Sequence, residues 1–304
     1  MTSRALAPHS IAAAAGLVLD QLFEEPPSSV HPVSHFGRLM SDFEVRNYRD
    51  AVGPGVAHAL AGVGLGVVAG RALRSTTLAT GLSVGGRALW NAANDVGCVL
   101  AVGDLDEARR RLPALVGRDS SDLDESEIAR AVVESVAENT VDAVVAPALW
   151  AAFAGAPGAL GYRAVNTLDA MVGHHSPRYE NYGAASARLD DAANWIPARV
   201  TAALVALVRA SSSRDIRRAV ATQAPLHPSP NAGVAEAAFA AALGVQLGGR
   251  NRYGDRVEER ATLGFGRPIR SSDIKESIRL SRDVTYSLAS LLSAVGVAMW
   301  WRRR

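Results

Sequence analysis

The run 51–70 constrains this chain most: it holds no Asp, Glu, Lys or Arg, and the first such residue after it is Arg71. As a helix it is long enough to cross a hydrocarbon core of about 30 Å. Gly62, Gly66 and Gly70 recur at every fourth position and leave one helical face without side chains. Such a small-residue face lets membrane helices pack closely. The spacing Gly64-x-Gly66-x-x-Ala69 also fits a nucleotide fingerprint loosely, but no strand or βαβ unit accompanies it.

Four more apolar segments stand out, at 10–23, 141–161, 195–210 and 284–301. Apolar residues make up 48% of the chain and charged residues 20%, which suits membrane segments better than a soluble enzyme. The segment 10–23 is read as an uncleaved helix, because Asp20 interrupts it and Cys98 stands alone, so no disulfide framework follows. Trp300 and Trp301, followed by Arg302–Arg304, fit a helix whose C-terminus faces the cytoplasm. Five crossings would then place the Arg-rich stretch 209–283 outside, against the positive-inside rule, so at least one segment does not cross. The expected fold is an all-α polytopic membrane protein, one integral-membrane domain over residues 1–304. Amphipathic helices and polar loops are expected between about 4–5 membrane segments.

Between the spans, 103–116 and 122–140 read as amphipathic helices. The first starts at Asp104, with Asp106 and Glu107 where the helix dipole favours acids. Pro and Gly punctuate 24–32, 155–158 and 224–233. A net charge of +2 with balanced signs gives no nucleic-acid footprint. Lys275 is the one lysine, so no Gly-x-x-x-x-Gly-Lys-Ser/Thr loop exists and any use of ATP proceeds without one. Gly-x-Ser-x-Gly, His-Glu-x-x-His and Cys-x-x-Cys are also missing, which removes most hydrolase and redox readings.

Polar groups gather where helices meet apolar segments. Arg130, Glu134, Glu138 and Asp142 recur every fourth residue and run into the segment beginning at Val141. They suit either a hard-cation site holding Mg²⁺ with a phosphate or a solvated face of i,i+4 pairs. Asn166 and Asp169 lie one turn apart in YRAVNTLDAMVG; Arg188, Asp190, Asp191 and Asn194 follow in ARLDDAANWIPARVT. Arg178 and Arg188 could clamp a phosphate or simply be cytoplasmic surface charge. In HPSPNAG two prolines stop any helix before Gly233, which sets His227, Ser229 and Asn231 on a loop for a polar ligand or on a plain capped turn. His31 and His35 have the spacing of a metal pair, but Pro32 opposes a helix starting before it and no third ligand is near.

These stretches resemble the CobD/CbiB family of cobalamin biosynthesis proteins, the adenosylcobinamide-phosphate synthases. The resemblance rests on LVLDQLFEEPPSSVHPVSHFGRLM, GRDSSDLDESEIARAVVESVAENTVDAVVAP, YRAVNTLDAMVG, ARLDDAANWIPARVT and HPSPNAG, in this order over roughly residues 15–300. It implies a multi-pass enzyme of the cytoplasmic membrane. The implied reaction joins adenosylcobyric acid to (R)-1-amino-2-propanol or its O-phosphate, using ATP and Mg²⁺. Contacts with membrane lipid and with other corrinoid-pathway enzymes are expected, and none with nucleic acid.

Set beside that chemistry, the residues divide into roles. Glu134, Glu138, Asp142 and Asp169 are the expected metal ligands, and Arg118, Arg178 and Arg188 the phosphate binders. Asn166, Asn194 and Ser229 complete the substrate site. His227 or Asp191 would take the amine proton, with Asn231 beside them. The rival classes are a corrinoid-binding or transport protein without chemistry and an AmpE-like membrane sensor; coupled ATP use and a covalent product separate them.

Overall fold

A computed structural model describes residues 3–23, 29–117, 119–174, 176–253 and 256–302. It is all-α apart from one hairpin. The helices are α1 (Ser3–Leu22), α2 (Pro32–Asn47), α3 (Val52–Leu73), α4 (Thr76–Ser83), α5 (Gly86–Ala101), α6 (Leu105–Arg111) and α7 (Glu125–Thr140). They continue as α8 (Ala146–Leu168), α9 (Ala184–Val208), α10 (Ser213–Thr222), α11 (Ala232–Leu243) and α12 (Ser272–Trp301). The antiparallel strands β1 (Leu247–Tyr253) and β2 (Arg256–Leu263) lie between α11 and α12.

Among the described residues three helical runs are long and apolar enough to cross a membrane: Val52–Leu73, Glu125–Gly173 and Ser272–Trp301. They contain the expected segments 51–70 (nearly entire), 141–161 and 284–301. The other two segments lie largely in α1 and α9. The protein is an all-α membrane protein.

The chain divides into two compact units. One comprises Met1–Gly85, Asp142–Asn194 and Leu288–Arg304. Its centre is the α3–α8 pair, and the glycine face read from the sequence is the contact surface. A Cβ on Gly66 would stand 2.6 Å from the Leu160 carbonyl oxygen, and one on Gly70 2.5 Å from that of Ala156. Backbone approach this close excludes any side chain. Two π-helical turns, Val141–Val145 and Asp169–Gly173, bracket α8. Such turns re-aim side chains within a helix and recur at functional sites. Asp142 and Asp169 both sit on them. Gly155, at φ 68°, breaks the helical backbone inside α8 two residues before Pro157, where sequence punctuation was noted.

The second unit comprises Gly86–Val141 and Trp195–Ser287. Asp104 caps α6 by accepting from the Glu107 N–H at 2.9 Å, as the sequence indicates. The helix ends at Arg111, short of the expected 116, where Pro113 lies within a 3₁₀ turn, Leu112–Ala114. A reciprocal capping box starts α7: Asp124 accepts from the Glu127 N–H at 2.8 Å, and Glu127 accepts from the Asp124 N–H at 2.9 Å. α7 is buried along nearly its whole length. Trp90 Nε1 and Thr140 Oγ1 both donate to Ser281 Oγ, at 2.9 and 2.7 Å, tying α5 and α7 to α12.

Candidate functional site

Each unit contains a polar cluster built around residues singled out in the sequence. In the second unit α7, α11, β2 and the HPSPNAG loop enclose a cavity of about 260 Å³. Glu134, Glu138, His227, Ser229, Glu236 and Arg260 are among its lining residues. The loop is shaped by its own hydroxyl. Ser229 Oγ accepts from the N–H groups of Asn231 (3.3 Å) and Ala232 (3.1 Å), capping α11 from outside. The Asn231 side chain does not cap α11: its Oδ1 accepts from Arg199 Nη1 at 2.8 Å, which anchors the loop to α9.

His227 is nearly buried. With its hydrogen on Nδ1 the ring donates to the Ser229 carbonyl at 3.2 Å and turns the Nε2 lone pair toward Arg260 Nη1 at 3.4 Å; in the other tautomer Nδ1 accepts from the Ser229 N–H at 3.1 Å. Glu236 Oε1 lies 3.6 Å from the same Nε2, and the two side chains are only 3% and 1% exposed. Burial, helped by the Arg260 charge, holds the imidazole below its ordinary pKa, so the ring is neutral near pH 7. Glu134 Oε1 accepts from the Gly248 N–H at 2.9 Å and faces Arg130 at 3.4 Å. Arg130 also donates to the Arg250 carbonyl at 2.8 Å. This pair therefore fastens β1 to α7, and Glu138 is exposed beside the cavity.

In the first unit the network links α8, its preceding π turn and the start of α9. Asn166 Nδ2 stands 3.4 Å from a carboxylate oxygen of Asp142 and 3.4 Å from one of Asp190. Asn194 donates to the other Asp190 oxygen at 2.9 Å and accepts from Tyr162 OH at 2.8 Å. Burial raises the Asp190 carboxyl above the usual carboxylate range, against the pull of the two amides. Two carboxylates and two amides from three segments thus meet around one point.

The structure distributes the expected residues between these clusters. Glu134, Glu138, His227 and Ser229 share the cavity, with Asn231 behind its loop. Asp142, Asn166 and Asn194 share the second network. Asp169 lies on its own π turn, and Arg188 and Asp191 are exposed on α9. Arg178 donates to Glu44 at 3.0 Å and stacks over Tyr48 at 4.2 Å. Arg118 lies outside the described residues. His31, considered above for metal, caps α2 by accepting from the Val33 N–H at 3.2 Å. Among the described residues no group of three or more His, Cys, Asp or Glu side chains converges on a metal position.

Sequence reasoning named no role for Asp190, Tyr162, Glu236 or Arg260. Glu236 carried a signal: it is the single ionisable residue of the apolar run 232–243. Arg260 carried none, since the hairpin that delivers it has no clear apolar–polar alternation.

A family model described as CobD/Cbib protein matches residues 13–281. The chain is also 44% identical over 302 residues to the cobalamin biosynthesis protein CobD of Mycobacterium tuberculosis, covering 95% of each chain. The chain belongs to the CobD/CbiB family. Proteins of the same name from Halalkalibacterium halodurans (38% over 317 residues, 96% of this chain and 98% of the relative) and Rhodobacter capsulatus (39% over 285 residues, 89% and 90%) are similar along most of their length. No solved structure matches. The CobD/CbiB match includes both polar clusters, from Glu134 through Arg260.

Proposed function

We propose that this chain is the ATP-dependent amide ligase that joins adenosylcobyric acid to (R)-1-amino-2-propanol or its O-phosphate, working at the cytoplasmic membrane. Family membership supports the pathway. The observation that carries the chemistry is the cavity of the second unit, where a buried neutral imidazole sits among carboxylates. Its volume of about 260 Å³ lies below the range of about 300–1,000 Å³ typical for drug-sized ligands. It suits a small amine and is too small for a corrin ring.

Amide formation from a carboxylate needs an activated acyl group. A carboxylate oxygen of the ring attacks the γ-phosphorus of ATP and ADP leaves. The amine nitrogen then attacks the acyl carbon, the carbon–oxygen bond to phosphate breaks, and the nitrogen sheds a proton. In the Nδ1–H tautomer His227 takes that proton at Nε2. Glu138 and Glu236 favour an ammonium group entering the cavity.

Mg²⁺, when bound, neutralises the phosphates and the charge that develops on them. The donors of the first unit fit such a hard ion: Asp142 and Asp190 offer two carboxylates that meet at one amide, with Asn166 and Asn194 alongside. Mg²⁺ is commonly held by about one or two carboxylates plus substrate phosphates, so a pair suffices.

Membranes containing the chain, given adenosylcobyric acid, the amine or its phosphate, ATP and Mg²⁺, should yield a product with the mass of adenosylcobinamide or its phosphate. Corrinoid binding without an ATP-dependent product would replace the ligase by a binding or transport protein.

A further inference from the structure

Glu236 is an unusual residue for its helix. α11 is otherwise apolar and lies buried from Ala232 to Ala241. A carboxylate there is costly unless it faces charge or hydrogen-bond donors. Its Oε1 lies 3.6 Å from His227 Nε2, while Nδ1 of the same ring contacts the Ser229 backbone. Both side chains line the cavity. Among the described residues the remaining ionisable groups around His227 are Arg260 and Glu258 on β2 and Glu134 and Glu138 on α7.

We propose that Glu236 is a positioning residue for His227: it orients the ring and holds the imidazolium formed when the amine gives up its proton. The proposal rests on the ligase reading, in which His227 is the proton acceptor. Burial and then Arg260 keep the ring neutral at rest, and Glu236 Oε1, 3.6 Å from Nε2, stands ready for the proton that arrives during turnover. The step forms an Nε2–H bond at His227 and breaks an N–H bond of the amine; Glu236 Oε1, 3.6 Å from Nε2, takes up the new N–H, and Arg260 Nη1, 3.4 Å from the same nitrogen, gives way.

Two measurements test this. In a double-mutant cycle on the membrane-embedded ligase, Glu236→Gln lowers kcat by roughly 100-fold, the lower end of what a positioned proton acceptor contributes. KM for the amine changes little, and Glu236→Asp restores part of the rate. In a His227→Ala background Glu236→Gln costs nothing further. An equal cost in both backgrounds means a structural role and overturns the proposal. The second measurement is independent of turnover: NMR titration of the ¹⁵N-labelled imidazoles in detergent, with His227 assigned by its variant. Glu236→Gln lowers the His227 midpoint by about 1–3 pH units, as expected on losing an opposite charge at this range. An unchanged midpoint overturns the proposal even if the chain has no ligase activity. Failure of the ligase reading alone shows as no product from the parent chain with the midpoint still moving.

Discussion

Asn194 donates to Asp190 at 2.9 Å across one turn of α9, and the Tyr162 hydroxyl holds the far side of the same amide at 2.8 Å. The amide thus fixes the direction of one carboxylate of the Asp142–Asp190 pair. If that pair holds Mg²⁺ with the phosphates, Asp190→Asn, which preserves shape and the accepted bond from Asn194 while giving up the longer one from Asn166, should raise the Mg²⁺ concentration for half-maximal ligation by about 10–100-fold. The check is the Mg²⁺ dependence of product formation at saturating ATP. An unchanged requirement removes the pair from the metal site.

The glycine face of α3 separates two kinds of glycine. Gly66→Ala puts a methyl group 2.6 Å from the Leu160 carbonyl oxygen and 2.9 Å from the Ala164 Cβ. Overpacking of this kind costs about 1–3 kcal/mol. Gly64→Ala meets nothing within 4 Å and removes a flexible residue from a helix, worth up to about 1 kcal/mol in the favourable direction. Thermal unfolding in detergent should therefore move down for the first variant and stay level or rise for the second.

Arg178 was expected at a phosphate, and the structure places it against Glu44, which is 7% exposed and also accepts from Tyr179 OH at 2.9 Å. Arg178 itself is about half exposed, so the pair is partly screened. Glu44→Gln should cost about 1–2 kcal/mol of stability, by weakening charge-assisted hydrogen bonds to a buried acceptor. If Arg178 serves only this lock, Arg178→Ala lowers the unfolding temperature and leaves KM for ATP unchanged. A raised KM returns Arg178 to the phosphate site.

His227 sets the acid limb of the activity. Its pKa is held below the ordinary imidazole value by burial and then by Arg260. The reactive form is the neutral ring, so kcat/KM should fall only as pH drops below about 6.5, the unperturbed midpoint. Arg260→Gln removes a positive neighbour, raises the His227 pKa and moves that limb to higher pH. A pH–rate profile with the same limb in both proteins contradicts the assignment.

Much of the fold was legible because it rests on local patterns. The uncharged run 51–70, the Gly62–Gly66–Gly70 face and the acids at the start of α6 depend on neighbours three or four residues away. The clusters were half legible for the same reason. Asp142, Asn166 and Asn194 stand beside apolar segments, where polar side chains are costly and draw notice. Glu236 and Arg260 were missed because their meaning lies in a contact across chain: 236 and 260 meet at His227 only once the hairpin packs on α11. The hairpin escaped because Gly248, Gly249 and several arginines break any alternation. Asp190 was noted beside Asp191, and only the structure shows that one is half-buried in a network and the other exposed.

The most direct test of the ligase follows the oxygen. Adenosylcobyric acid labelled with ¹⁸O in its free carboxylate is supplied with amine, ATP and Mg²⁺ to membranes containing the chain. Carboxyl activation by the γ-phosphoryl group predicts one ¹⁸O in each inorganic phosphate released, with one amide formed per ADP. Phosphate without label, or label retained in an unchanged acid while ATP is spent, contradicts the proposed function.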